Sequence, residues 1–257
     1  MTHYRFNNMT IKVPKVNLKR ILNIDNTINS IFGDTTRNLN IALKSLNNAE
    51  ITYNAFLDYD IPPHHFMMLG DFKHFVATRN EDDSTLEKVK DIEQYTIDMF
   101  DRKIKGRIVL SWSENSLLSE RMTLLNQAME CYEKGFYGPV VSVFATQLEG
   151  VIKQKVNKQF DHVSTRDLKN IVNILFSKKG VGSLDLTSAK YYEDKVVSSN
   201  KNKPSNRHAI AHGNIANYTE QIDAIRMILI FDCIVSRLDK TEKDILSTVF
   251  DKKKSNY

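Results

Sequence analysis

The chain is poor in the residues that cross-link folds or break helices. Its 257 residues include only 2 cysteines, 5 prolines, 9 glycines and 1 tryptophan. The two cysteines, Cys131 and Cys233, sit inside apolar helical patterns without CxxC or any metal-like spacing. That excludes a disulfide scaffold and points to reduced core thiols in a cytoplasm. No apolar run reaches the ~20 residues that a membrane span needs. The longest, "AIRMILIFDCIVSRL", is interrupted by Arg226 and Asp232 and reads as a buried helix. The opening "MTHYRFNNMTIKVPK" lacks the apolar core of a signal peptide. There is no internal repeat, no low-complexity tract and no dominant sign of charge. The net charge of +5, from 36 basic and 31 acidic residues, favours anionic partners only weakly.

What is present is helical periodicity, and the few glycines and prolines punctuate it. "SLLSERMTLLNQAMECYEKG" carries Leu117, Leu118, Met122, Leu125, Met129 and Tyr132 at a period near 3.6 and stops at Gly135. "FYGPVVSVFATQLEGVIKQKV" restarts with Pro139 in a first turn, where a helix accepts proline. "STRDLKNIVNILFSKKG" is capped by Ser164 or Thr165 and closed by Gly180. "LTSAKYYEDKVVSS" is a weaker fourth segment. "YTEQIDAIRMILIFDCIVSRLDK" is the strongest, with Thr219 as N-cap. The expected fold is therefore all-α. Residues 111–240 form a helical bundle, and 241–257 form a polar tail.

Residues 1–110 are expected to be a mainly helical N-terminal region. "IKVPKV" reads as a short strand or extended segment. Ile28, Ile31, Phe32, Leu39, Ile41, Leu43 and Leu46 suggest helices interrupted near Gly33. Ser84 and Glu87 form a capping box ahead of a stripe of Leu86, Val89, Ile92, Ile97 and Phe100. "GRIVLSWSEN" reads as a strand or extended linker, and the domain boundary is placed there. In "IPPHHF" the paired prolines exclude a helix interior. Its two histidines, His64 and His65, are expected to point in different directions, as a proline-rich turn rather than a metal site.

The chemistry concentrates in "KPSNRHAIAHGN", residues 203–214. Pro204 disfavours helix before it, Ser205 or Asn206 can cap, and a short helix from Arg207 places His208 and His212 on one face. The pair is a metal-ligand spacing, but Ala209 stands where HExxH has its glutamate, and a guanidinium adjoins it. No metal and no cofactor is expected. Phosphodiester chemistry is the second reading. A histidine moves a proton at neutral pH, and an arginine fork stabilises phosphate charge. The third reading is structural: solvated or locally bonded side chains at a helix start.

"NRHAIAHG" between a weak and a strong helix resembles the signature of the HEPN superfamily: arginine, a polar residue, then a histidine a few positions on. "RMTLLNQAMECYEKGFYGPVVSVFATQLEGVIK" is similar to the family's first two helices, with an aromatic–glycine turn between them and "LEG" near the end. The resemblance spans about half the chain. It implies a HEPN-like helical bundle that dimerises to form a composite cleft, and a metal-independent endoribonuclease acting on RNA in antiviral defence (abortive infection) or as a toxin. By the same resemblance Arg207 and His212 are the principal catalytic positions and His208 the polar one. An antitoxin or regulatory partner is implied for some members; the tyrosine they carry two residues after the histidine is Asn214 here.

The alternative is a non-catalytic module that binds a nucleotide, RNA or a protein partner. Substrate contacts are assigned to Asn206, Lys203, Lys201 and Glu149, although the cap explains Asn206 and Glu149 equally fits a solvent-facing residue. Lys195 adds charge beside them. Trp112, Tyr191 and Tyr192 are base-stacking candidates or, more plainly, core.

Overall fold

In the computed structural model the described residues are 3–6, 9–12, 59–67, 86–156, 164–177, 191–197, 206–246 and 249. The chain divides between Asn47 and Asn48 into two compact units, rather than at the expected 110/111 boundary. In the first, strands β1 (His3–Phe6) and β2 (Met9–Lys12) pair antiparallel, with His3 opposite Lys12 and Phe6 opposite Met9. Ile11 and Lys12 of "IKVPKV" thus lie in a strand. The helices suggested between Ile28 and Leu46, and the Ser84 cap, fall outside the described residues.

The second unit is all-α in its described residues, as the periodicity predicts. Helix α1 (Leu86–Met99) continues through a wider turn, Phe100–Ile104, into α2 (Lys105–Ser113). The segment "GRIVLSWSEN" is therefore mostly helix, not strand or linker. The β-branched pair Ile108–Val109 misled the local reading. Ile104, Ile108 and Trp112 recur every four residues and are all buried, which makes one helical stripe. A short 3₁₀ segment, Ser116–Arg121, then leads into α3 (Met122–Glu133).

Gly135 ends α3 as expected. Its φ of 78° is left-handed, and the Phe136 N–H reaches back to the Cys131 carbonyl at 2.8 Å, which satisfies a terminal carbonyl. Helix α4 (Tyr137–Val156) takes Pro139 in its first turn, and α5 (Thr165–Ser177) follows. Ser164 caps α5 reciprocally. Its Oγ accepts from the Asp167 N–H at 3.2 Å, while Asp167 Oδ2 accepts from the Ser164 N–H at 3.1 Å. Gly180 lies outside the described residues. Residues 191–196 are helical, α6 (Arg207–Ala211) is short, and α7 (Gln221–Lys240) is 20 residues long, as α4 is. The N-cap of α7 is Glu220, one residue after the expected Thr219.

Helix α7 packs along α4 at the centre of the unit. Trp112, Phe144 and Phe231 meet there with ring centroids 5.1–5.7 Å apart, in tilted and edge-on arrangements that suit aromatic quadrupoles. The tail differs from expectation. Residues 243–246 are helical, and Leu246 and Val249 are buried on the core cluster. Among the described residues no helix is long and apolar enough to cross a membrane.

Candidate functional site

The segment after the fourth helical region folds as its residues dictate. Asn206 is extended, and its side-chain oxygen accepts from the Ala209 N–H at 3.1 Å, the N-cap bond. Its amide nitrogen donates to the Asp194 carbonyl at 3.3 Å. Gly213, with φ of 66°, closes the turn, and the Asn214 N–H returns to the Ala209 carbonyl at 2.8 Å. A helix of five residues is thereby fixed at both ends, with Ala209 and Ile210 in the core.

Helical spacing then separates the three motif side chains. Arg207 turns inward and is 4% exposed. Its Nε donates to the Ala145 carbonyl at 3.1 Å, and its Nη2 donates to Glu149 Oε2. Both partners lie on α4, so the arginine bolts the short helix to the bundle. Glu149 is also paired with Lys153 at 3.0 Å. Burial alone would raise the Glu149 carboxyl. The hydrogen bonds from Arg207 and Lys153 outweigh it and hold the carboxyl below its ordinary value. Glu149 thus joins the motif through Arg207 and is more than a solvent-facing residue.

The imidazoles take the other side. His208 is half-buried and His212 exposed. Their ring centroids are 4.4 Å apart at 60°, an edge-to-face pair. Burial, followed by the neighbouring His212 and Arg207, pushes His208 below the ordinary histidine value against the pull of Glu149. A neutral imidazole with an available lone pair beside a second, solvent-facing imidazole is equipped to move protons.

The remaining assignments divide. Asn206 is buried and committed to the cap and to Asp194. Lys201 and Lys203 lie outside the described residues. Lys195 is not a surface charge: it is buried and paired with Asp60. Trp112, Tyr191 and Tyr192 are buried and belong to the core cluster. Tyr218, the nearest tyrosine after the motif, is half-buried and accepts from Ser142 Oγ at 3.3 Å.

A second cluster escaped the sequence reading. The turn at 59–67 is fastened to α7 at two levels. Arg226 donates to the carbonyls of Asp60 (3.0 Å) and Tyr59 (3.3 Å) and pairs with Glu93 at 2.8 Å. Further along, His64 Nε2 donates to Asp232 Oδ2 at 2.8 Å, and the Trp112 indole donates to Oδ1 at 2.7 Å. His65 does not point away from its neighbour. The rings stack with centroids 4.3 Å apart at 27°, which leaves His65 Nε2 3.8 Å from the same carboxylate. Burial, then the adjoining His64, pushes His65 down to about 4. The available signal was Asp232 itself, a lone carboxylate in an otherwise apolar stretch of α7, which must find donors when buried.

Compared with protein-family models, with curated proteins and with solved structures, the chain matches none.

Proposed function

We propose that the chain is a metal-independent endoribonuclease of the HEPN type, with His208 and His212 as its proton-moving groups. The observation that carries this reading is the pair of imidazoles, one half-buried and one exposed, held on a helix capped at both ends. Within one pair His212 acts either as the general base on the ribose 2′-OH or as the general acid at the leaving 5′ oxygen, and His208 is its partner. The products of 2′-OH attack are a 2′,3′-cyclic phosphate and a 5′-hydroxyl.

The buried state of Arg207 changes its role within this reading. It positions the helix through Glu149 and Ala145, where the bare motif suggested a direct phosphate contact. Displacement at phosphorus keeps the attacking and leaving oxygens roughly in line, on opposite sides of the phosphorus. Two rings 4.4 Å apart are side by side and serve one of those sides. A homodimer that places two such pairs across a cleft supplies the other. RNA is the substrate class, the cytoplasm the expected location, and antiviral defence or toxin action the expected setting.

The test is incubation of purified protein with mixed tRNA and single-stranded RNA, with and without EDTA, beside His212→Ala. Cleavage by the wild type alone, leaving cyclic-phosphate ends, is expected. A wild type that binds RNA but cuts none of it removes the enzymatic reading. The second reading, a non-catalytic nucleotide-, RNA- or partner-binding module, is favoured by one observation: the motif arginine is buried in an ion pair that holds the fold.

A further inference from the structure

We propose that His64, His65 and Asp232 form a binding site for one divalent transition-metal ion of the zinc class, joining the 59–67 turn to α7. One donor atom from each residue lies within 4.8 Å of the other two. Around a tetrahedral ion with bonds of about 2.0–2.1 Å, neighbouring donors are separated by roughly 3.3 Å. The two separations to Asp232 Oδ2, 2.8 Å from His64 and 3.8 Å from His65, bracket that edge. Both edges to the carboxylate are thus within about 0.5 Å of the tetrahedral value, and the edge between the two imidazoles is no longer than 4.8 Å.

The donor set is two imidazoles and one carboxylate, which suits zinc and leaves a fourth position. That position faces solvent on the His65 side, where the side chain is 39% exposed, whereas His64 and Asp232 are buried. The surroundings already orient the carboxylate: the Trp112 indole N–H holds Oδ1 and leaves Oδ2 turned to the two rings. The backbone makes the arrangement possible. Pro62 and Pro63 precede the pair, and Tyr192 donates its hydroxyl to the Pro63 carbonyl at 2.5 Å, which fixes the entry to the turn.

Proton accounting gives the site a signature. The His64 Nδ1 accepts from the Phe66 N–H at 3.2 Å, so its proton is on Nε2 and bonds to Asp232. An ion taking Nε2 displaces that proton. A neutral imidazole bound through Nε2 carries its proton on Nδ1, so binding moves the proton there and the Phe66 N–H contact is lost. None of the donors belongs to residues 206–212, and the proposal does not depend on the ribonuclease reading.

The test is calorimetric titration of zinc chloride into the chelator-treated full chain, with melting temperature read with and without the ion. One ion per chain and a raised melting temperature are expected. His65→Ala, which removes the exposed ligand, is expected to weaken binding at least about tenfold while leaving the metal-free melting temperature close to wild type. Asp232→Asn is the second variant and is expected to abolish binding. The proposal is overturned if zinc gives no heat and no shift. It is equally overturned if His65→Ala binds as the wild type does, or if binding is lost only in the His208→Ala/His212→Ala pair.

Discussion

Replacing Arg207 with alanine separates a phosphate-binding arginine from one that holds the fold. An exposed arginine waiting for RNA contributes little to stability, within about 0.5 kcal/mol. Arg207 instead makes two charge-assisted hydrogen bonds from a buried position, to the Ala145 carbonyl and to Glu149. Each such bond is worth roughly 1.5–3 kcal/mol. The sum is reduced because the Glu149 side chain is 25% exposed and keeps Lys153 at 3.0 Å after the arginine is gone. A destabilisation of about 2–4 kcal/mol remains, or roughly 5–15 °C in melting temperature for a chain of this size.

The measurement is urea unfolding followed by circular dichroism for the wild type, Arg207→Ala, Glu149→Gln and the double variant, with a coupling energy of about 1–3 kcal/mol expected from the cycle. The pH dependence checks the assignment. The Glu149 carboxyl sits below its ordinary value of 4.5, so the native state binds fewer protons there than the unfolded chain. Its contribution is complete above pH 4.5 and is lost as pH falls through the lower folded value. The gap between wild type and Glu149→Gln therefore narrows in acid. An Arg207→Ala protein that melts with the wild type, and shows no coupling to Glu149, refutes the inward role.

Two glycines predict opposite signs by the same chemistry. Gly106 lies inside α2 with open space where a Cβ would go, so Gly106→Ala is expected to stabilise by about 0.5–1 kcal/mol. Gly135 has φ of 78°, so Gly135→Ala is expected to destabilise by roughly 1–2 kcal/mol; thermal melts of both decide. Trp112→Phe keeps an aromatic ring beside Phe144 and Phe231 but removes the donor to Asp232 Oδ1, for an expected loss of about 1.5–3 kcal/mol in urea unfolding. An unchanged midpoint would mean that the carboxylate is satisfied without the indole.

The legible part of the fold was the part governed by local periodicity. The α3–α4 turn at Gly135, Pro139 in a first turn, the Ser164 cap and the apolar run of α7 follow from short-range rules and are found where those rules place them. The errors lie where a long-range contact outranks a local one. "GRIVLSWSEN" reads as strand from its Ile108–Val109 pair, yet Ile108 and Trp112 are one turn apart on a buried face. Arg207, His208 and His212 were identifiable as a group, but which of them faces the solvent depends on Glu149, 58 residues away. His64 and His65 looked divergent because their partner, Asp232, lies 168 residues further on.

That last separation bears on the order of events at the ribosome. The turn at 59–67 is made early, yet the carboxylate that receives His64 is synthesised 168 residues later. At roughly 5–20 residues per second the wait is about 10–30 s. Through that interval His64, buried in the finished protein, has no Asp232 to receive its proton. The docking of this turn on α7 therefore belongs to the closing steps of folding.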